Sequence, residues 1–301
     1  MPQKRSTLLL CIIGGGGVFV FLILCLLALA LYFSDESPSL SFSSNEVAVL
    51  DLAGTIDDSK EFIDQLKEYG NRSGVRSVVI RINSPGGDVA ASQEIYQAIK
   101  KFRAESKKKV VVSMASVAAS GGYYAACGAD KIFANPGTIT GSIGVIAEWY
   151  NYGDLLRWAK VQNVVVKSGA FKDAGSPMRP LTDEEKTYFQ SLIGNMYDQF
   201  VSTVASSRKM KESDVRRLAD GRVYTGQESK ANGLVDELGG YQDAIVAASK
   251  MAGIAGSPKV VNPAKKSISI LDLLLGRGGA SALSLSSDRS ESHIRFEYLW
   301  R

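Results

Sequence analysis

The stretch VVIRINSPGGDVAASQEIYQAIKKF, residues 78–102, decides how the chain is read. Val78 to Ile82 is a short run rich in β-branched residues, Asn83 to Asp88 is a Pro/Gly turn, and from Val89 to Phe102 the apolar residues recur at helical spacing. A strand that passes through a glycine turn into a helix is the repeating unit of an α/β fold with a parallel sheet. The same alternation extends in both directions. Val47 to Leu52 reads as a strand and Lys60 to Tyr69 as a helix; Val110 to Met114 reads as a strand and Ala119 to Cys127 as a short helix. Strands are expected around Lys131 to Phe133 and Ile143 to Ile146, a helix at Leu155 to Lys160 and a strand at Asn163 to Lys167. Thr182 to Lys209 reads as a long helix that Thr182 and Glu185 open as a capping box. Beyond Gly256, Ser267 to Leu275 reads as helical, Gly276 to Ser287 as a flexible linker, and Ile294 to Trp300 as an edge strand or a docking peptide.

The 301 residues suffice for one large domain or two small ones. Apolar residues make up 45% of them, but 22 fall in Leu8 to Phe33, whose other four residues are glycines, so the remainder has an ordinary globular composition. As a helix those 26 uncharged residues would span about 39 Å, more than the roughly 30 Å of a hydrocarbon core. A transmembrane helix is expected there. Lys4 and Arg5 before it and Asp35 and Glu36 after it put the N-terminus in the cytoplasm and the body outside, which in a bacterium means the inner membrane. A cleaved signal peptide is the competing reading. The expected organisation is a cytoplasmic N-terminus at 1–7, a membrane helix at 8–33, a stalk at 34–45, a folded domain at 46–255 and an extension at 256–301.

Past the apolar window 33 basic residues face 31 acidic ones, and the one dense run, Lys107 to Lys109, reads as a solvated turn. Nucleic-acid binding is not expected. Cys11 and Cys25 lie in the window and Cys127 stands alone beyond it, so neither a disulfide framework nor a Cys-rich zinc site can be built. The single histidine, His293, sits in a polar tail, which disfavours any mechanism that needs an embedded imidazole.

Three loops follow expected strands, where open α/β sheets carry their sites. In Asn83-Ser84-Pro85-Gly86-Gly87-Asp88, paired glycines let backbone N–H groups approach a developing negative charge, although the loop also reads as a plain strand-to-helix turn. In Ala118-Ala119-Ser120-Gly121-Gly122-Tyr123-Tyr124, small neighbours leave room for an acyl group at Ser120; a helix N-cap is the structural alternative. In Lys167-Ser168-Gly169-Ala170-Phe171-Lys172-Asp173, Lys172 is the candidate base in the absence of a usable histidine, provided burial lowers its pKa. A lone lysine is ordinarily solvated, and a salt bridge to the adjacent Asp173 would disable this one.

Taken together and in order, these loops resemble the signal peptide peptidase A family in its short bacterial form, over about residues 45 to 250. Thr140-Gly141-Ser142-Ile143-Gly144-Val145 and Gly221-Arg222-Val223-Tyr224-Thr225-Gly226, followed by Gly233-Leu234-Val235-Asp236, carry the resemblance further. It implies a crotonase/ClpP-like α/β fold and a Ser-Lys dyad with Ser120 as nucleophile and Lys172 as general base. Ser142 would orient the lysine, and the N–H groups of Gly87 and Gly121 would serve the oxyanion, with neither cofactor nor metal. It also implies remnant signal peptides and other unfolded or hydrophobic peptides as substrates, and a homo-oligomeric ring whose dyad is shared between subunits. An acyl-CoA enzyme of the crotonase type and a non-catalytic membrane scaffold are the alternatives.

Overall fold

The computed structural model describes Leu24, residues 45–263 and residues 295–300. In chain order the elements are β1 (Glu46–Ala53), α1 (Lys60–Asn71), β2 (Val75–Ser84), β3 (Gly86–Asp88), α2 (Val89–Ser106), β4 (Lys109–Ala119), α3 (Gly121–Ala126), β5 (Lys131–Ala134), β6 (Ile139–Gly141) and β7 (Ile146–Glu148). There follow α4 (Gly153–Trp158), a 3-10 turn (Ala170–Asp173), α5 (Asp183–Arg208), α6 (Glu212–Leu218), β8 (Val223–Thr225), α7 (Gly226–Ala231), β9 (Glu237–Leu238), α8 (Tyr241–Met251), β10 (Lys259–Val261) and β11 (Arg295–Leu299). The main sheet runs β10-β1-β2-β4-β5-β9, all parallel, with β6 beside the end of β4 and β8 antiparallel to β6.

A parallel sheet covered on both faces requires strands that are apolar at every position, as Val78-Val79-Ile80 and Val110-Val111-Val112 are. Alternate residues serve different cores. Val47, Val49, Val79 and Val111 pack against Ala244, Ile245 and Ala248 of α8. Ala48, Leu50, Val78, Ile80, Val110 and Val112 face the opposite core, which includes Leu66 of α1, Ile95 and Ile99 of α2, and Val201 and Val204 of α5. Asp88 caps α2 by accepting the Ala91 N–H at 2.9 Å. Thr182 and Glu185 form the expected capping box of α5. Lys108, expected in a solvated turn, instead donates to the carbonyls of Tyr69, Gly70 and Arg72 at 2.7–2.8 Å, satisfying the C-terminal end of α1.

Three expectations change. Residues 163–167 form no strand: their valines suit a pleat, but among the described residues no strand pairs with them, and they stand in solvent. Of the strand expected at 143–146 only Ile146 is in a strand, as the first residue of β7: residues 142–145 are irregular, following the turn that Gly141 (φ +79°) and Ser142 (φ +50°) make at the end of β6. Within the segment expected at 294–300, Arg295–Leu299 form β11, which pairs antiparallel with β3 on one side and β7 on the other, so it is the centre of a second small sheet rather than an edge of the first. The expected membrane helix (8–33) lies outside the described residues apart from Leu24, and the expected helix at 267–275, linker at 276–287 and His293 lie outside them altogether. Among the described residues no helix is long and apolar enough to cross a membrane.

Candidate active site

The site lies where β2, β4 and β6 end. Ser120 closes β4 and precedes α3 with φ +52° and ψ −114°, a conformation that costs any residue with a side chain and is commonly held only where surrounding structure enforces it. Two backbone bonds enforce it here: the Ser120 N–H donates to Gly141 O and the Tyr124 N–H to Ser120 O, both at 2.8 Å. The residue is only 1% exposed, yet its hydroxyl makes no capping bond. The N-cap alternative therefore does not account for the serine.

The glycine turn after β2 is held by Ile56. The Ile56 N–H donates to Gly86 O at 2.9 Å and the Asp88 N–H to Ile56 O at 2.8 Å, which leaves Gly87 between them with no room for a side chain; a Cβ there would come within 2.6 Å of Ile56 N. Gly86 (φ +104°) is equally confined, since its Cβ would meet Gly121 N at 2.7 Å. The turn thus brings Gly87 against the residue that follows Ser120. A Cβ built on Gly121 would lie 3.2 Å from Gly87 N and 3.2 Å from the carbonyl oxygen of Tyr298.

That carbonyl belongs to β11. The Trp300 N–H donates to Pro85 O at 2.9 Å, and the register places Tyr298 opposite Gly87, so the alternation of an antiparallel ladder puts the Tyr298 carbonyl and the Gly87 N–H in facing, bonded phase. The Tyr298 ring is fully buried, stacked on Tyr124 at 5.2 Å between centroids and packed on Phe200 at 4.6 Å, and its hydroxyl donates to Met196 O at 3.0 Å. Beyond Trp300 a cleft of about 510 Å³ continues along Ser142, Ile146 and Ile193.

Ser142 is buried beside this centre, its N–H bonded to Arg222 O at 2.9 Å. Lys172 is elsewhere. It sits exposed in the 3-10 turn, and among the described residues neither a hydrogen bond nor an ion pair engages its ammonium. Ser120, Gly87, Gly121 and Ser142 are therefore gathered at the strand ends of one chain, whereas among the described residues no hydrogen bond joins Lys172 to Ser120. Asp173 does not pair with Lys172 either: its carboxylate accepts from Lys167 Nζ at 2.5 Å and Arg179 Nε at 3.2 Å. Arg179 foremost, and Lys167 with it, hold the Asp173 carboxyl down at about 2.

Residues 150–181 bury only Gly153 and Gly175, and they leave Trp158 and Val164 82% and Val166 96% exposed. Sequence reasoning missed Ile56, whose role is made by its backbone and carries no residue signature. It also missed the ring pocket, although Tyr124 stood within a quoted motif.

The sequence model of Peptidase family S49 matches residues 102–255, and that of Clp protease matches residues 44–138. A candidate signal peptide peptidase SppA of Enterococcus faecium is 37% identical over 225 residues, 70% of this chain and 65% of that protein. A candidate protease of Synechocystis is 47% identical over 178 residues, 59% of this chain and 64% of that protein. Protease 4 of Salmonella typhi is 35% identical over 230 residues, 73% of this chain and 37% of that protein. The chain thus spans about two thirds or less of the length of these relatives. Among solved structures, a ClpP1 variant from Listeria monocytogenes superposes with a TM-score of 0.43 at 21% identity, covering 65% of this chain and 93% of that one.

Proposed function

The chain belongs to peptidase family S49, and from that membership we propose a serine endopeptidase that cleaves remnant signal peptides and other unfolded or hydrophobic peptides through an acyl-enzyme on Ser120. The observation that carries this reading is β11 itself, an extended peptide paired antiparallel with β3, its Tyr298 carbonyl against Gly87 and Gly121 beside an uncapped serine. A substrate strand would bind in the same way, adding itself to the sheet edge through main-chain bonds.

Lys172 accepts the Ser120 proton as Oγ bonds to the substrate carbonyl carbon, the Gly87 and Gly121 N–H groups stabilise the oxyanion, and the proton passes to the departing amine as the C–N bond breaks. Water then attacks the ester, giving its proton to Lys172, and the serine regains a proton as the acid leaves. Ser142 orients the lysine. The lysine comes from a neighbouring copy in a homo-oligomeric ring, a reading supported by the exposed position of Lys172 and by the bare apolar side chains of residues 150–171 that a neighbour would cover. Residues 8–33 anchor the assembly in the bacterial inner membrane with the peptidase domain outside the cytoplasm, near peptides left in the bilayer.

The test is intact-mass analysis after fluorophosphonate treatment of wild type, Ser120→Ala and Lys172→Ala, with hydrolysis of an apolar fluorogenic peptide. One adduct at Ser120 and turnover in the wild type, with both variants inactive, is the expected result. A correctly assembled wild type that neither labels nor cleaves would replace the peptidase with a non-catalytic scaffold.

A further inference from the structure

Lys172 and Asp173 are consecutive in one short turn, and an ammonium beside a free carboxylate keeps its proton. The surrounding charges are arranged against that pairing. Lys167 Nζ donates to Asp173 Oδ1 at 2.5 Å and to Ala170 O at 2.9 Å. Arg179 reaches Asp173 through Nε at 3.2 Å and the Asp173 carbonyl through Nη2 at 3.2 Å. The same guanidinium forks onto Glu185, with Nη1 to Oε2 at 2.8 Å and Nη2 to Oε1 at 2.5 Å, and Glu185 is fixed in turn by the Thr182 N–H at 2.9 Å. Two cations and two carboxylates close this cluster, and its charge balances without Lys172. The other charged pair in the first turn of α5, Lys186 with Asp183 at 3.0 Å, is likewise satisfied.

We propose that Arg179 is a positioning residue for the dyad: with Lys167 it sequesters the Asp173 carboxylate, so that Lys172 has no counter-ion of its own and can be deprotonated when a neighbouring copy covers it. The inference rests on Lys172 being the general base. The bidentate grip on Glu185 anchors the device to α5, because a planar guanidinium held along two of its N–H edges cannot swing away from Asp173. The depressed Asp173 carboxyl is the electrostatic trace of this capture.

The test is the pH profile of kcat/KM for an apolar fluorogenic peptide, measured on the full chain. In Arg179→Met the freed carboxylate is expected to stabilise the protonated lysine, moving the acidic limb up by about one unit, a tenfold loss below the limb that is recovered at higher pH. Lys167→Met, which leaves the Arg179–Glu185 fork intact, moves the limb the same way by less. Asp173→Asn removes the carboxylate while leaving two cations nearby, and moves the limb down; adding Asp173→Asn to Arg179→Met reverses the upward shift. A loss uniform across pH in Arg179→Met, or shifts of the same sign in Arg179→Met and Asp173→Asn, would overturn the proposal. If Arg179→Met does not assemble, the opposed signs of Lys167→Met and Asp173→Asn decide it. Lys172→Ala separates the two levels: full activity without Lys172 removes the dyad reading itself, whereas an inactive Lys172→Ala beside unmoved limbs removes only the role of Arg179.

Discussion

At the residue scale the site depends on positions where a single Cβ has no place. Gly87→Ala is expected to force Ile56 or the glycine turn to move and, if the Gly87 N–H serves the oxyanion as proposed, to lower kcat by about 100-fold or more with little change in KM. Steady-state kinetics check this, and a loss confined to KM would argue that Gly87 only shapes binding. The placement of Gly87 and Ser120 beside each other at strand ends was legible in the sequence, because glycine pairs and a serine among small residues have few uses there. The pairing of Asp173 was not legible, since the partners that draw it away from Lys172 come from six residues before it and six after it, brought together only when the loop closes.

At the element scale, Thr182 is expected to contribute about 1 kcal/mol through its cap of α5, so Thr182→Ala lowers Tm, and it also loosens Glu185. Thermal unfolding monitored by circular dichroism checks the first effect. The element that carries more function is β11. Tyr298→Ala removes the ring that fills the pocket of Tyr124 and Phe200, and is expected to speed both fluorophosphonate labelling and peptide turnover. If the tail is also a substrate, intact mass finds a shortened C-terminus in the wild type and a complete one in Ser120→Ala; identical termini in both would dismiss self-cleavage. The parallel strands were readable because burial on both faces demands unbroken apolar runs. Residues 163–167 show the limit of that logic: β-branched composition describes what a strand tolerates, whereas a strand exists only with a partner, and none among the described residues is offered.

At the scale of the whole molecule, acid sensitivity follows from carboxylates titrating low in the fold. Arg179 holds Asp173 and Glu185 below their ordinary values. Burial would raise Asp236, but the hydrogen bonds and charge of Arg208 outweigh it and hold that carboxyl down as well. Groups with lowered folded pKa values stabilise above their unfolded values, near 4, and that contribution disappears as pH falls through the folded ones. Tm is therefore expected to be steady from neutrality to about pH 5 and to drop below about pH 4; a Tm that is unchanged at pH 3 would contradict it. Assembly makes a second prediction. Mixing Ser120→Ala and Lys172→Ala chains before assembly should restore turnover if each dyad draws on two copies, whereas a mixture as inactive as its parts would confine the dyad to one chain.

The strand that lies against the glycine turn, where a substrate strand is proposed to bind, is covalently part of the protein, joined to β10 through residues 262–294. A covalently tethered occupant competes at a local concentration set by its tether, whatever the protein concentration outside. Dilute peptides would meet a groove that is already taken, and only a local surplus would displace the tail. Turnover would then follow the crowding of peptide around the protein with a threshold, and the setting of that threshold would lie in the length of the tether and the fit of Tyr298.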